Sequence, residues 1–178
     1  MLSLSFNKFY DIYDECLTDE FWNMDPSYRF SRINMVFAIY AELLQYEPIK
    51  RVIEEVKKTH PPMEGIIGSE LFKFIRNIFA HFPFFDSWNE VYINKRLVNW
   101  YKDGLSLDRF LSRYSGKEQV KYRMWDAKKR QMIYVTFSFP NTYDDKDIYL
   151  KDILPEREGA MFCLALMRRI MDTQVVME

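Results

Sequence analysis

The sequence predicts a mainly helical bundle with a β-hairpin inserted before the last helix. Before residue 115, apolar residues recur at three- and four-residue spacing, as they do when one face of a helix meets a core. From Val120 to Phe139 the spacing changes to alternation, the period of a strand with one buried face. Prolines and glycines punctuate the joins, so each periodic run has a defined end.

The first helix is expected to run through Asp19, with Phe6, Phe9, Tyr10, Tyr13 and Leu17 on one face and Lys8, Asp11, Asp14 and Glu15 on the other. Asp25-Pro26-Ser27 is a start signal, because aspartate accepts from free N–H groups and proline suits the first helical position. The second helix follows over residues 28–45, with Ile33, Val36, Phe37, Tyr40, Ala41 and Leu44 as its stripe. Glu47-Pro48 opens a third over 49–58, which Thr59-His60-Pro61-Pro62 ends. Gly65 and Gly68 are expected to extend that loop. Ser69-Glu70 then opens a fourth helix that stops near Phe82, since Pro83 disfavours helical geometry in the residue before it. Asp86-Ser87 is expected to cap a fifth helix through Tyr101, packed by Trp88, Val91, Tyr92, Leu97, Val98 and Trp100.

A shorter helical segment spans 107–114, and Ser115-Gly116 ends it. Val120, Tyr122 and Met124, then Ile133, Val135, Phe137 and Phe139, flank Asp126-Ala127-Lys128-Lys129 and read as a β-hairpin over about residues 119–139. The acidic turn Tyr143-Asp144-Asp145-Lys146-Asp147 lacks the glycine and terminal glutamate of a calcium loop and reads as solvated. A short extended piece at 148–150 precedes a C-terminal helix, which Pro155-Glu156 starts and which runs over about 156–173. The 178 residues fit a single domain, 1–178, with the bundle core over about 28–101.

Composition removes several functions. Lys plus Arg total 25 against 26 Asp plus Glu, so no global field draws the chain to a polyanion, and any such site must be local. With five glycines and neither of the two Gly-rich phosphate-binding patterns, nucleotide cradling by those devices is excluded. Cys16 and Cys163 stand far apart without metal-ligating companions, so they are expected as buried free thiols, and no metal or cofactor is expected. The N-terminus lacks the basic segment and apolar core of a signal peptide, and charge interrupts every apolar run before membrane-spanning length. The expectation is a soluble cytoplasmic protein with no membrane partner.

Within the fourth helix stands the run Arg76-Asn77-Ile78-Phe79-Ala80-His81, polar residues in a stretch otherwise almost all Leu, Phe, Ile and Ala. Such surroundings hold Arg, Asn and His only when they are paired or used. Leu71, Ile75, Ile78 and Phe82 share one side of the helix, and Lys73, Asn77, Ala80 and His81 the other. Asn77 and His81 are four apart, so the amide can orient the imidazole and select its tautomer. Arg76 and His81 are five apart, which on a straight helix separates them by about 140° and about 7.5 Å. They share a site only if the last turn is distorted or a second copy of the helix supplies the complementary group, as in a two-fold dimer. The residue types suit phosphodiester cleavage. Imidazole exchanges protons near neutrality, and guanidinium binds phosphate oxygens as a permanently charged fork.

The run Arg76-Asn77-x-x-Ala80-His81 late in a helix resembles the signature of HEPN domains (higher eukaryotes and prokaryotes nucleotide-binding), which is Arg, four to six residues, then His, often with a polar residue after the Arg. The resemblance covers the motif helix and, loosely, its neighbours. It implies a HEPN-like helical bundle that dimerises with the two motifs facing each other, and metal-independent ribonuclease activity of the toxin–antitoxin, abortive-infection or antiviral-defence kind. It also implies RNA as substrate, an antitoxin protein as partner, and Arg76, Asn77 and His81 as catalytic. One HEPN subclass carries a modifiable tyrosine three residues after the His; here that residue is Phe84, which has no hydroxyl. The hairpin is no part of the minimal bundle.

Lys73 on the motif helix and Lys121, Arg123, Lys128, Lys129 and Arg130 on the hairpin are the candidate RNA contacts, the latter five forming the dense basic cluster of the chain. A solvated hairpin face is the competing reading of that cluster. For the motif, the competing reading pairs Arg76 with Glu42 or Glu90 and lets His81 cap helix carbonyls. Under it the protein is a non-catalytic dimeric binding module for a protein or nucleotide. His60 is expected in an exposed loop, and the aromatic string Phe79, Phe82, Phe84, Phe85, Trp88, Tyr92 in core or interface rather than stacked on bases.

Overall fold

The structure is a computed structural model that describes residues 2–43, 46–58, 62–81, 84–96, 105–116, 120–126, 129–143 and 146–175. It is mainly helical, with a β-hairpin before the C-terminal helix as the periodicities predict. In chain order the elements are α1 (Leu2–Cys16), α2 (Asp19–Trp22), α3 (Pro26–Leu43), α4 (Glu47–Lys58), α5 (Pro62–His81), β1 (Tyr92–Ile93), α6 (Leu105–Tyr114), β2 (Val120–Asp126), β3 (Gln131–Phe137), β4 (Ile148–Tyr149), α7 (Leu150–Ile153) and α8 (Glu156–Val175). No helix among the described residues is long and apolar enough to cross a membrane.

The first helix stops at Cys16 rather than Asp19 because its free carbonyls find local partners. The backbone N–H and the hydroxyl of Thr18 both donate to the Glu15 carbonyl, and the Trp22 indole N–H donates to that of Cys16 at 2.9 Å. Thr18 then caps α2 by accepting from the Phe21 N–H at 3.3 Å. The Asp25 carboxylate starts α3 as its sequence implies, accepting from the Ser27 N–H at 2.9 Å. Helix α5 begins at Pro62 and passes through Gly65 and Gly68, which were expected in a loop. Glycine weakens a helix interior by about 1 kcal/mol without ending it, and proline at the first helical position is favourable. Thr59, His60 and Pro61 lie outside the described residues.

The expected fifth helix is absent over 86–93. Successive turns, Ser87 carbonyl to Glu90 N–H and Trp88 carbonyl to Val91 N–H, lead instead into β1. Tyr92 pairs with Tyr149 and Ile93 with Ile148 in an antiparallel ladder, and the Leu150 N–H donates to the Val91 carbonyl at 2.9 Å. Val91 and Ile93 are buried on either side of half-buried Tyr92, a period of two that a long-range partner strand rewards. Leu97, Val98, Trp100 and Tyr101 lie outside the described residues.

Strands β2 and β3 pair from Val120 opposite Phe137 to Asp126 opposite Gln131. The inner face of β3 turns Val135 and Phe137 into the core, where Phe137 meets Phe162 of α8 at 6.0 Å between ring centroids. Strand β2 packs against both α5 and α8, and α4 also lies along α8. Buried residues from Phe9 to Met171 form one cluster, and Phe79 of α5 lies at its aromatic centre. The Phe79 ring stacks on Phe30 at 5.0 Å and Phe37 at 4.6 Å, and tilts against Trp88 at 5.8 Å. Phe79, Phe85 and Trp88 of the aromatic string are therefore core, whereas Phe84 is exposed. Away from that centre, Arg29 at the start of α3 grips Glu156 at the start of α8 through two hydrogen bonds of 3.1 and 2.8 Å.

Candidate functional site

Helix α5 is apolar because Leu71, Phe74, Ile75, Ile78 and Phe79 are all buried, a stripe wide enough to meet elements on several sides. Asn77 interrupts it at 7 % exposure, the sole polar residue in the buried set among the described residues. Its side-chain oxygen accepts a hydrogen bond from the half-buried Arg76 guanidinium at 3.3 Å. That guanidinium also faces Tyr40 of α3: burial pushes the Tyr40 hydroxyl up to about 12 while the charge of Arg76 opposes the rise. Arg76 thus bonds its neighbour rather than Glu42 or Glu90, both of which are exposed.

The backbone of α5 stays α-helical through His81. A distorted last turn therefore does not bring Arg76 and His81 together, and their positions remain about 140° apart around the axis. The His81 side chain and its expected contact with Asn77, like Phe82, lie outside what the structure describes.

Beside Asn77, between α5 and α6, opens a cavity of about 180 Å³. Phe74 and Phe110 form its apolar wall, with their rings stacked at 4.5 Å. Lys73, Arg109 and Arg113 stand at its polar edge with Glu70. Glu70 is already engaged, since Arg113 forms an ion pair with it and the Tyr114 hydroxyl donates to it at 2.6 Å. Burial, then the bond to Glu70 and that carboxylate's charge, raise the Tyr114 pKa and keep the hydroxyl protonated. Lys73 and Arg109 are left to set the sign of the cavity, which favours an anion.

Lys73 and Asn77, which helical spacing sets on one side of α5, both line this cavity, whereas Glu70, Arg109, Arg113 and Tyr114 are not among the candidates the sequence offers. A signal was present: Arg109 and Arg113 are four apart on α6, as are Phe110 and Tyr114, so α6 carries a basic row beside an aromatic one. Which helix those rows would face was not in the signal.

The hairpin cations divide into two groups. Lys121 and Arg123 are exposed on β2. Lys129 and Arg130 lie at the tip, where Asp126 accepts from the Lys129 N–H at 2.9 Å and pairs with its ammonium at 3.9 Å, and where Arg130 adopts a φ of 50°. Lys128 lies outside the described residues. Cys16 and Cys163 are free and buried. Among the described residues no cluster of His, Cys, Asp and Glu forms a metal site. No protein-family model, curated protein or solved structure matches this chain.

Proposed function

We propose that the chain is a HEPN-like, metal-independent endoribonuclease that acts as a homodimer, with the α5 helices of two copies facing each other. The observation that supports this best is Arg76 bonded to a buried Asn77 at the edge of a cation-rimmed cavity. The hydrogen bond from Arg76 satisfies the buried Asn77 oxygen and holds the guanidinium in place, and phosphate oxygens are what a guanidinium fork fits.

In this reading the His81 imidazole of one copy takes the proton from a ribose 2′-hydroxyl. The 2′-oxygen attacks phosphorus, the 5′-oxygen leaves with a proton from the other copy's His81, and the products are a 2′,3′-cyclic phosphate and a 5′-hydroxyl. Arg76 neutralises the pentacoordinate phosphate, and Asn77 holds Arg76 in position. Lys73 and Arg109 attract the flanking phosphates, and the hairpin cations Lys121, Arg123, Lys129 and Arg130 extend the backbone path. The biological role that accompanies this chemistry is a cytoplasmic toxin or phage-defence effector, held in check by an antitoxin protein. Purified protein in excess EDTA should cut single-stranded RNA to cyclic-phosphate ends, and His81→Ala should abolish the cutting. Equal cutting by His81→Ala sinks the proposal.

A further inference from the structure

Between the hairpin, α1 and α8 lies a second cavity, of about 550 Å³. Each element lines it with residues at its own period. Glu158, Met161 and Ala165 follow one another at three- and four-residue spacing on α8, and Ile133 and Val135 are two apart on β3. Leu17, just past the end of α1, and Trp125, near the end of β2, add to the wall. Val135 is buried and Leu17, Ile133, Met161 and Ala165 are half-buried, so most of the lining is apolar. Close-packed interiors leave few voids larger than a water molecule, and this one is too large for a packing gap. Its volume lies within the range of about 300–1,000 Å³ that small-molecule sites occupy.

Five charged residues also line the cavity, and four of them are matched. Arg157 pairs with Asp19 at 2.8 Å and lies over the Trp22 ring at 5.6 Å. Lys129 pairs with Asp126 at 3.9 Å, and the same carboxylate accepts from the Lys129 N–H at 2.9 Å. The fifth, Glu158, is exposed and forms no hydrogen bond or ion pair among the described residues. Three carboxylates against two cations leave the cavity one negative charge in excess. That sign, set on apolar walls, selects the occupant. An anion would have to take Arg157 from Asp19 or Lys129 from Asp126, and a neutral molecule would strip water from Glu158 and give it no partner. A cation with an apolar body meets both demands, since the body displaces water from the walls and the ammonium meets the carboxylate.

We propose that the cavity between the hairpin, α1 and α8 binds an amphipathic small molecule with one ammonium group, its apolar body against Ile133, Val135, Met161 and Ala165 and its charge on Glu158. The site is separate from the Arg76–Asn77 edge and does not depend on the ribonuclease reading. The probes are three straight chains that differ only in the head group: octylammonium, 1-octanol and octanoate. Each is titrated into the full-length protein at neutral pH by isothermal titration calorimetry. Octylammonium should bind about fivefold tighter than 1-octanol, and octanoate should be the weakest of the three. Glu158→Gln should weaken octylammonium about fivefold and leave 1-octanol unchanged. Ala165→Phe on α8 and Ile133→Trp on β3 each add a ring to the lining and should abolish binding of all three, with circular dichroism confirming the fold.

Octylammonium that binds no tighter than 1-octanol, or as tightly to Glu158→Gln as to the parent, overturns the proposal. So does octanoate as the tightest of the three, because Lys129 and Arg157 then outweigh Glu158. Undiminished binding by a folded Ala165→Phe or Ile133→Trp protein overturns it as well, since the probe is then held elsewhere. Loss of RNA cutting in His81→Ala and loss of ammonium binding in Glu158→Gln are separate readouts, so either reading can fail while the other stands.

Discussion

Replacing Gly159 by alanine tests how tightly the C-terminal helix is wedged against the element that braces α5. A Cβ at Gly159 would lie 2.3 Å from Cζ2 and 2.6 Å from Cη2 of Trp88, and 3.2 Å from Cδ2 of Leu154. Carbon atoms rest about 3.5–4.0 Å apart, so the indole must retreat by more than about 1 Å. It has nowhere to go: Trp88 is fully buried, and its N–H donates to the Leu154 carbonyl at 2.9 Å. Overpacking of this kind costs about 1–3 kcal/mol, and disturbing the indole hydrogen bond adds about 1 kcal/mol. Alanine in place of glycine returns about 1 kcal/mol of helix propensity. The net loss is about 1–3 kcal/mol, a fall of roughly 3–10 °C in melting temperature for a chain of this size. Thermal melts followed by circular dichroism, with urea midpoints alongside, read it directly. A Gly159→Ala protein that melts at or above the parent temperature refutes the reasoning. In a Trp88→Phe background, where the clashing ring atoms are gone, the penalty should shrink. Because Trp88 tilts against Phe79, the same strain reaches the helix that carries Arg76 and Asn77.

Asn77→Leu removes the acceptor for Arg76 at a buried position and should cost about 1–3 kcal/mol in urea unfolding along with any RNA cutting; unchanged stability would show that the bond carries nothing. Burial raises the Glu15 carboxyl, but hydrogen bonds from Tyr28 and Arg32 and the Arg32 charge outweigh it and leave the pKa below the ordinary carboxylate value. The stability Glu15 contributes is therefore present above an unfolded-state pKa of about 4.3 and is lost as pH falls through the lower folded value. Glu15→Gln should be destabilised at neutral pH, with the gap to the parent closing below about pH 4; a gap independent of pH contradicts the pairing. Burial pushes the Cys16 thiol up to about 12 and the Cys163 thiol well above its usual value, so both should resist an aromatic disulfide reagent at mildly alkaline pH until denaturant is added. Rapid labelling of either in the native protein would contradict that burial.

Much of the helical pattern was legible because its causes are local. The Asp25 cap, Pro26 at the first helical turn, the stripe Ile33, Val36, Phe37, Tyr40 and the alternation Ile133, Val135, Phe137 each report a period or a cap within a few residues. The errors fall where a distant partner decides. Residues 86–93 carry apolar side chains that suit a helix as well as a strand, and β4 settles the choice by offering its edge to Tyr92 and Ile93. Gly65 and Gly68 suit a loop by propensity, yet that propensity is worth about 1 kcal/mol per glycine and a long apolar helix overrides it.

For the site, the sequence by itself determined that Arg76, Asn77 and His81 share a helix and that a straight helix keeps Arg76 and His81 apart, since both follow from a fixed rise and twist per residue. Only the tertiary structure decided that Asn77 is buried and holds Arg76, that α6 brings Arg109 and Arg113 to Lys73, and that the inner face of β3 meets the C-terminal helix through Phe137 and Phe162. The physical reason is common to all three. Charge, cavity and face are properties of surfaces meeting, and a one-dimensional pattern states which residues lie on a surface but not which other surface it meets.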